Sequence, residues 1–82
     1  MDVKGRIADA FIMLYNRFGV DDEGYINITL TRQDIASFAG TIYETFFKIA
    51  SEFVKQKIIH YSGKRIKILK MPRLQEYAKV NV

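Results

Sequence analysis

The segment from Thr31 to Lys48, TRQDIASFAG followed directly by TIYETFFK, carries two helix-start signatures ten residues apart with a glycine between them. Three positions after Thr31 stands Asp34, and three after Thr41 stands Glu44. Each pair fits a capping box, in which a hydroxyl and a carboxylate satisfy the amides that a first helical turn leaves open. Gly40 can take the positive φ that ends the first helix. The segment therefore reads as a short helix, a tight turn and a second helix starting almost at once.

Many DNA-binding proteins use such a pair to seat the second helix in the major groove. An ordinary helical hairpin has the same spacing, so the flanking chain must decide. Upstream, Val3, Ile7, Ala10, Phe11, Leu14 and Phe18 recur at steps of three and four, which predicts a helix over 3–18 that Asp2 can cap and Gly19 can end. Asp21, Asp22, Glu23 and Gly24 predict a turn. Its acids lack the alternating ligands and closing glutamate of a calcium loop. Residues 25–30 alternate, with Ile26, Ile28 and Leu30 on one face, which predicts a half-buried strand.

In the first helix of the pair, Ile35, Ala36 and Phe38 are expected on the inner face. In the second, over about 42–57, the expected stripe is Ile42, Phe46, Ile49 and Phe53, flanked by Tyr43, Phe47, Ala50 and Val54. Glu44, Lys48, Ser51 and Lys55 face away. Residues 58–69 read as two strands around Ser62 and Gly63, the second bearing Arg65 and Lys67. Pro72 suits the first turn of a last helix carrying Leu74, Tyr77 and Ala78. The predicted order is α-β-α-α-β-β-α, an α+β winged helix-turn-helix filling residues 1–82 as one domain.

Composition narrows the chemistry. Residues 1–30 hold three basic and five acidic side chains, whereas residues 31–82 hold ten basic and four acidic ones. The basic excess thus begins with the helix pair, where Lys and Arg can neutralise phosphates, although a solvated surface would look alike. The absence of cysteine removes disulfides and thiolate chemistry, and an intracellular, cytoplasmic location fits it. No apolar run reaches the roughly 18 to 20 residues of a membrane span, and no signal-peptide layout opens the chain. No nucleophile has an identifiable base, and no phosphate loop, metal cluster or catalytic carboxylate pair stands out, so an enzyme is not expected. His60, the lone histidine, has no second ligand at metal spacing and is assigned no chemistry.

Asp2-Val3-x-Gly5-Arg6-Ile7-Ala8, Leu30-Thr31-Arg32-Gln33-Asp34-Ile35-Ala36, Gly40-Thr41-x-x-Glu44-Thr45 and Gly63-Lys64-x-Ile66 together cover nearly the whole chain. In that combination the sequence resembles the C-terminal DNA-binding domain of the cyclic AMP receptor protein and fumarate-nitrate regulator (CRP/FNR) superfamily of bacterial transcription factors. The resemblance implies double-stranded DNA as partner, a homodimer in a full-length protein, and RNA polymerase as a further partner. It also implies an upstream sensor domain and dimerisation helix, where a cyclic nucleotide or other effector would bind. Neither is in these residues, so the expectation is an excised or truncated domain that is monomeric by itself and holds no cofactor.

By the same resemblance, the first two turns of the second helix enter the major groove, where Tyr43, Glu44, Phe47 and Lys48 are candidate base contacts. Glu44 can accept from cytosine N4, or serve only as a cap. Lys48 replaces the family's usual arginine and lacks its two-pronged fork. Thr31, Arg32, Gln33 and Thr45 are candidate phosphate contacts, as are Lys64 and Arg65 at the wing tip, although Arg32 could face solvent without a partner. Lys67 fits an exposed strand charge equally well. Ile42 and Tyr43 stand where a small hydroxyl residue and an arginine are usual, and Phe47 where glycine or serine is. One turn apart, Tyr43 and Phe47 can form a single aromatic surface. It could meet thymine methyl groups, tuck against the core, or bind another protein.

Overall fold

The computed structural model describes residues 2–79. Helix α1 (Val3–Phe18) begins at Asp2, whose Oδ1 accepts a hydrogen bond from the Gly5 amide at 2.7 Å. It ends at Gly19, where φ is 67°. Helices α2 (Arg32–Ala39) and α3 (Tyr43–Lys55) follow, then the hairpin β1 (Ile59–Ser62) and β2 (Arg65–Ile68), and α4 (Met71–Lys79). The antiparallel register sets Ile59 opposite Ile68 and Ser62 opposite Arg65, with Gly63 turning at φ 64°.

The α+β order is kept, but its first strand is reduced. Residues 25–30 form no regular strand: Tyr25 bridges Lys67, Ile26 bridges Val20, and the Ile26 amide donates to the Ile66 carbonyl at 2.8 Å. The ladder stops there because the next amides are spent locally. Asn27 donates to the Gly19 carbonyl and Ile28 to that of Ile26. The alternation survives without the ladder, since Ile26 is buried, Ile28 and Leu30 are half-buried, and Asn27 and Thr29 are exposed.

One core joins all the elements. Phe11 of α1 meets Phe46 of α3 at 6.0 Å between ring centroids, and Phe53 meets Tyr77 of α4 at 5.3 Å. Ile7, Ile35, Ile58, Ile59 and Leu74 are also sealed from water. Burying each such side chain contributes about 1.5–3 kcal/mol, and this anchors α2 and α3 against α1.

Several residues of the predicted apolar faces lie at the surface, Phe18 and Val54 at their margins and Phe38 and Ile42 more fully. Phe38 is half exposed because α2 turns Ile35, Ala36 and Ala39 inward, leaving Phe38 to one side of that arc. With Met13, Phe18 and Leu30 it borders a shallow apolar groove. Ile42 is 67% exposed, because it precedes α3 as its N-cap rather than belonging to the inner stripe.

Candidate nucleic-acid interface

The start of α2 is built as its sequence predicts. The Thr31 hydroxyl oxygen accepts from the Asp34 amide at 3.0 Å, and the Thr31 amide donates to Asp34 Oδ2 at 3.2 Å. The hydroxyl hydrogen stays free to donate. Gly40 closes the helix in the left-handed region, φ 77° and ψ 34°.

The second capping box does not form. The Gly40 and Thr41 amides donate back to the Ser37 and Ala36 carbonyls at 3.0 Å, so Thr41 belongs to the end of α2. Helix α3 then starts one residue later than the sequence suggests, with Ile42 as an N-cap that makes no side-chain hydrogen bond. It runs Tyr43–Lys55, inside the expected 42–57. Glu44 falls in the first turn, where the helix dipole favours its charge, but it makes no cap. Its carboxylate therefore faces solvent uncommitted, as does the Lys48 ammonium; neither forms an ion pair among the described residues.

Tyr43 and Phe47 stack with centroids 6.0 Å apart and planes at 24°. Their exposures of 42% and 50% show that they are not tucked into the core and present one aromatic surface beside Glu44 and Lys48. Thr45 is half-buried.

Arg32 and Tyr61 bring three elements together. A groove of about 270 Å³ is lined by Arg32 of α2, by Phe47, Ala50, Ser51 and Val54 of α3, and by Tyr61 of β1. The start of α2, one flank of α3 and the hairpin thus share a face. The Arg32 guanidinium lies 4.2 Å from the Tyr61 ring centroid and has no carboxylate partner among the described residues. Burial pushes the Tyr61 hydroxyl up to about 12, against the opposing pull of Arg32. Gln33, next to Arg32, is exposed.

The two cations at the wing tip differ. Lys64 is exposed and unpaired among the described residues. Arg65 reaches back to the acidic turn, its Nη2 lying 2.7 Å from Asp21 Oδ2 and 3.2 Å from Glu23 Oε1, with the guanidinium 4.2 Å above Tyr25. Those carboxylates raise the Arg65 pKa. Partial desolvation pulls the Asp21 carboxyl upward, yet hydrogen bonds from the Tyr25 amide, Arg65 and the Glu23 amide outweigh it and hold the group below its ordinary 3.8. Nothing local in the sequence signals this cluster, whose members lie 42 to 44 positions apart. Tyr61 and Tyr25 escape sequence reasoning for the same reason.

Among the described residues no three His, Cys, Asp or Glu side chains gather as a metal site. No described helix is long and apolar enough to cross a membrane.

Residues 5–77 match the Crp-like helix-turn-helix domain. A CRP-like cAMP-activated global transcriptional regulator of Mycobacterium tuberculosis is 34% identical over 80 residues, which are 95% of this chain and 36% of the relative. The chain therefore spans about a third of that relative's length. Among solved structures, a CRP/FNR-family transcriptional regulator from Thermus thermophilus superposes with a TM-score of 0.83 at 25% identity, over 96% of this chain and 41% of the other. The catabolite activator protein of the same organism shares the fold at a TM-score of 0.80 and 18% identity, over 98% of this chain and 35% of its own.

Proposed function

The chain belongs to the Crp-like helix-turn-helix family, and from that premise we propose that it binds double-stranded DNA as the C-terminal domain of a transcription regulator. The observation that carries this reading is the shared face on which the start of α2, one flank of α3 and the hairpin meet, with Arg32 held by an aromatic ring instead of an acid. Helix α3 lies in the major groove, where Tyr43 and Phe47 meet thymine methyl groups, Glu44 accepts from cytosine, and Lys48 reaches guanine or a phosphate. Thr31, Arg32, Gln33 and Thr45 hold phosphates on one side and Lys64 on the other. Arg65 can join them less readily, because Asp21 and Glu23 already hold its Nη2 and offset its charge.

In the full-length regulator the domain works as one half of a cytoplasmic homodimer, contacts RNA polymerase, and answers an effector bound upstream. The test is selection of bound sequences from a random duplex pool with the domain artificially dimerised. An enriched palindrome supports the proposal, and affinity should fall steeply with salt because bound phosphates release counterions. No binding even at low salt sinks it.

A second reading rests on the exposed Tyr43–Phe47 stack beside Ile42, an apolar surface that a protein partner could cover. Self-association in sedimentation experiments, abolished by Phe47→Ser, would favour it over DNA.

A further inference from the structure

Arginine at the first position of a helix sits at the positive end of the dipole, where a cation is disfavoured. Arg32 occupies that position in α2 and forms no ion pair with a described carboxylate, the Asp34 carboxylate of the same turn being bonded to the Thr31 amide. What holds it is the face of Tyr61, 4.2 Å from the guanidinium. The choice of partner matters. A carboxylate would consume N–H donors and cancel the charge, whereas the ring contact leaves the charge in place, and the Arg32 donors make no hydrogen bond with the described residues, so they remain available to a phosphate. Arg65 shows the contrast within the same molecule: it lies 4.2 Å above Tyr25, but Asp21 and Glu23 already accept from its Nη2 and offset its charge.

The tyrosine is suited to this task by its ring and not by its hydroxyl. The phenol oxygen is shielded from solvent and makes no hydrogen bond with the described residues. The ring, carried on β1, lies against Arg32 of α2 and lines the groove that Phe47 borders on α3. We propose that Tyr61 is a positioning residue, whose ring presets the Arg32 guanidinium for a DNA phosphate and so couples the wing to the start of α2. The inference rests on the DNA-binding reading above.

Two variants of the full chain test it. Tyr61→Phe keeps the ring, and Tyr61→Leu removes it while keeping an apolar side chain. NMR of the free protein reads the stack without DNA: the Arg32 side-chain protons should be ring-current shifted in the parent and in Tyr61→Phe, and relaxed toward free-arginine values in Tyr61→Leu. Binding to mixed-sequence duplexes at low salt reads the consequence. Tyr61→Phe should stay within about twofold of the parent, while Tyr61→Leu should lose about two- to fivefold on every sequence, the range expected for an exposed cation–π contact. In an Arg32→Ala background, Tyr61→Leu should lose nothing further. Unshifted Arg32 protons in the parent overturn the proposal. So does Tyr61→Leu binding at parental strength while Arg32→Ala is weakened, which would leave the DNA-binding reading intact. An unchanged NMR spectrum for the rest of Tyr61→Leu separates lost positioning from lost fold. Absence of binding by the parent at low salt overturns both statements, and the duplex titration alone reports that outcome.

Discussion

Replacing Gly40 with alanine should destabilise the domain although the new methyl touches nothing. A Cβ built at Gly40 has no heavy atom within 4 Å, so no clash enters the account. What remains is the backbone: φ is 77° and ψ 34°, and holding an L-residue there costs about 1–2 kcal/mol. Alanine also narrows the unfolded ensemble, which returns about 0.4–1 kcal/mol. The net loss is about 1 kcal/mol, or about 4–8 °C in melting temperature for a domain of this size. Lys57 supplies the mirror image. It sits at φ 60° just past α3, where the Lys57 and Ile58 amides donate to the Val54 and Phe53 carbonyls at 2.9 and 2.8 Å. This is the helix-ending motif that ordinarily carries glycine. Lys57→Gly should therefore stabilise, by somewhat less than about 1 kcal/mol because the lysine charge favours a helix C-terminus; high salt should remove that offset. Urea unfolding of both variants, with unchanged slopes, measures the pair. Equal signs for the two substitutions, or a Gly40→Ala protein as stable as its parent, would refute the backbone reasoning.

Four further outcomes follow from the same geometry. Thr31→Ala should cost about 0.5–2 kcal/mol by opening the observed capping box, whereas Thr41→Ala should cost little because its hydroxyl caps nothing; thermal melting distinguishes them. Ile42→Asp should raise stability by about 0.5–1 kcal/mol, since Ile42 is an exposed N-cap with no side-chain bond, and urea unfolding would show it. Phe46→Ala should cost about 3–5 kcal/mol while Phe47→Ala changes stability by less than about 0.5 kcal/mol, and the latter should instead change which duplexes are selected. The Asp21 carboxyl is held below 3.8, so its contribution is complete above that pH and lost as the pH falls through the lower folded value. The gap in melting temperature between the parent and Asp21→Asn should hold steady from neutrality to about pH 5 and close in more acidic solution.

Local rules explain which parts of this architecture were legible. Asp2 and Gly19 bound α1, Thr31 and Asp34 start α2, and Gly40 ends it, because each acts on amides or carbonyls within a few residues of itself. The hairpin turning at Gly63 and the pairing of Tyr43 with Phe47 follow from periodicities of two and four, whereas the exposure of that pair came only with the fold. The second box failed for an equally local reason that competes with the first: the Thr41 amide closes α2, which displaces the start of α3 by one residue and releases Glu44 from capping.

The sequence by itself thus determined the order of the helices and the hairpin, most of the apolar faces that join them and the basic character of the second half. Tertiary structure alone decided which cations on that half are free. Arg32 and Arg65 look alike in the chain, yet folding lays one on Tyr61 with its donors unspent and sets the other between Asp21 and Glu23. Capping and amphipathic periodicity act over one or two helical turns, whereas charge pairing and ring stacking depend on which distant segments the buried core brings within a few ångströms.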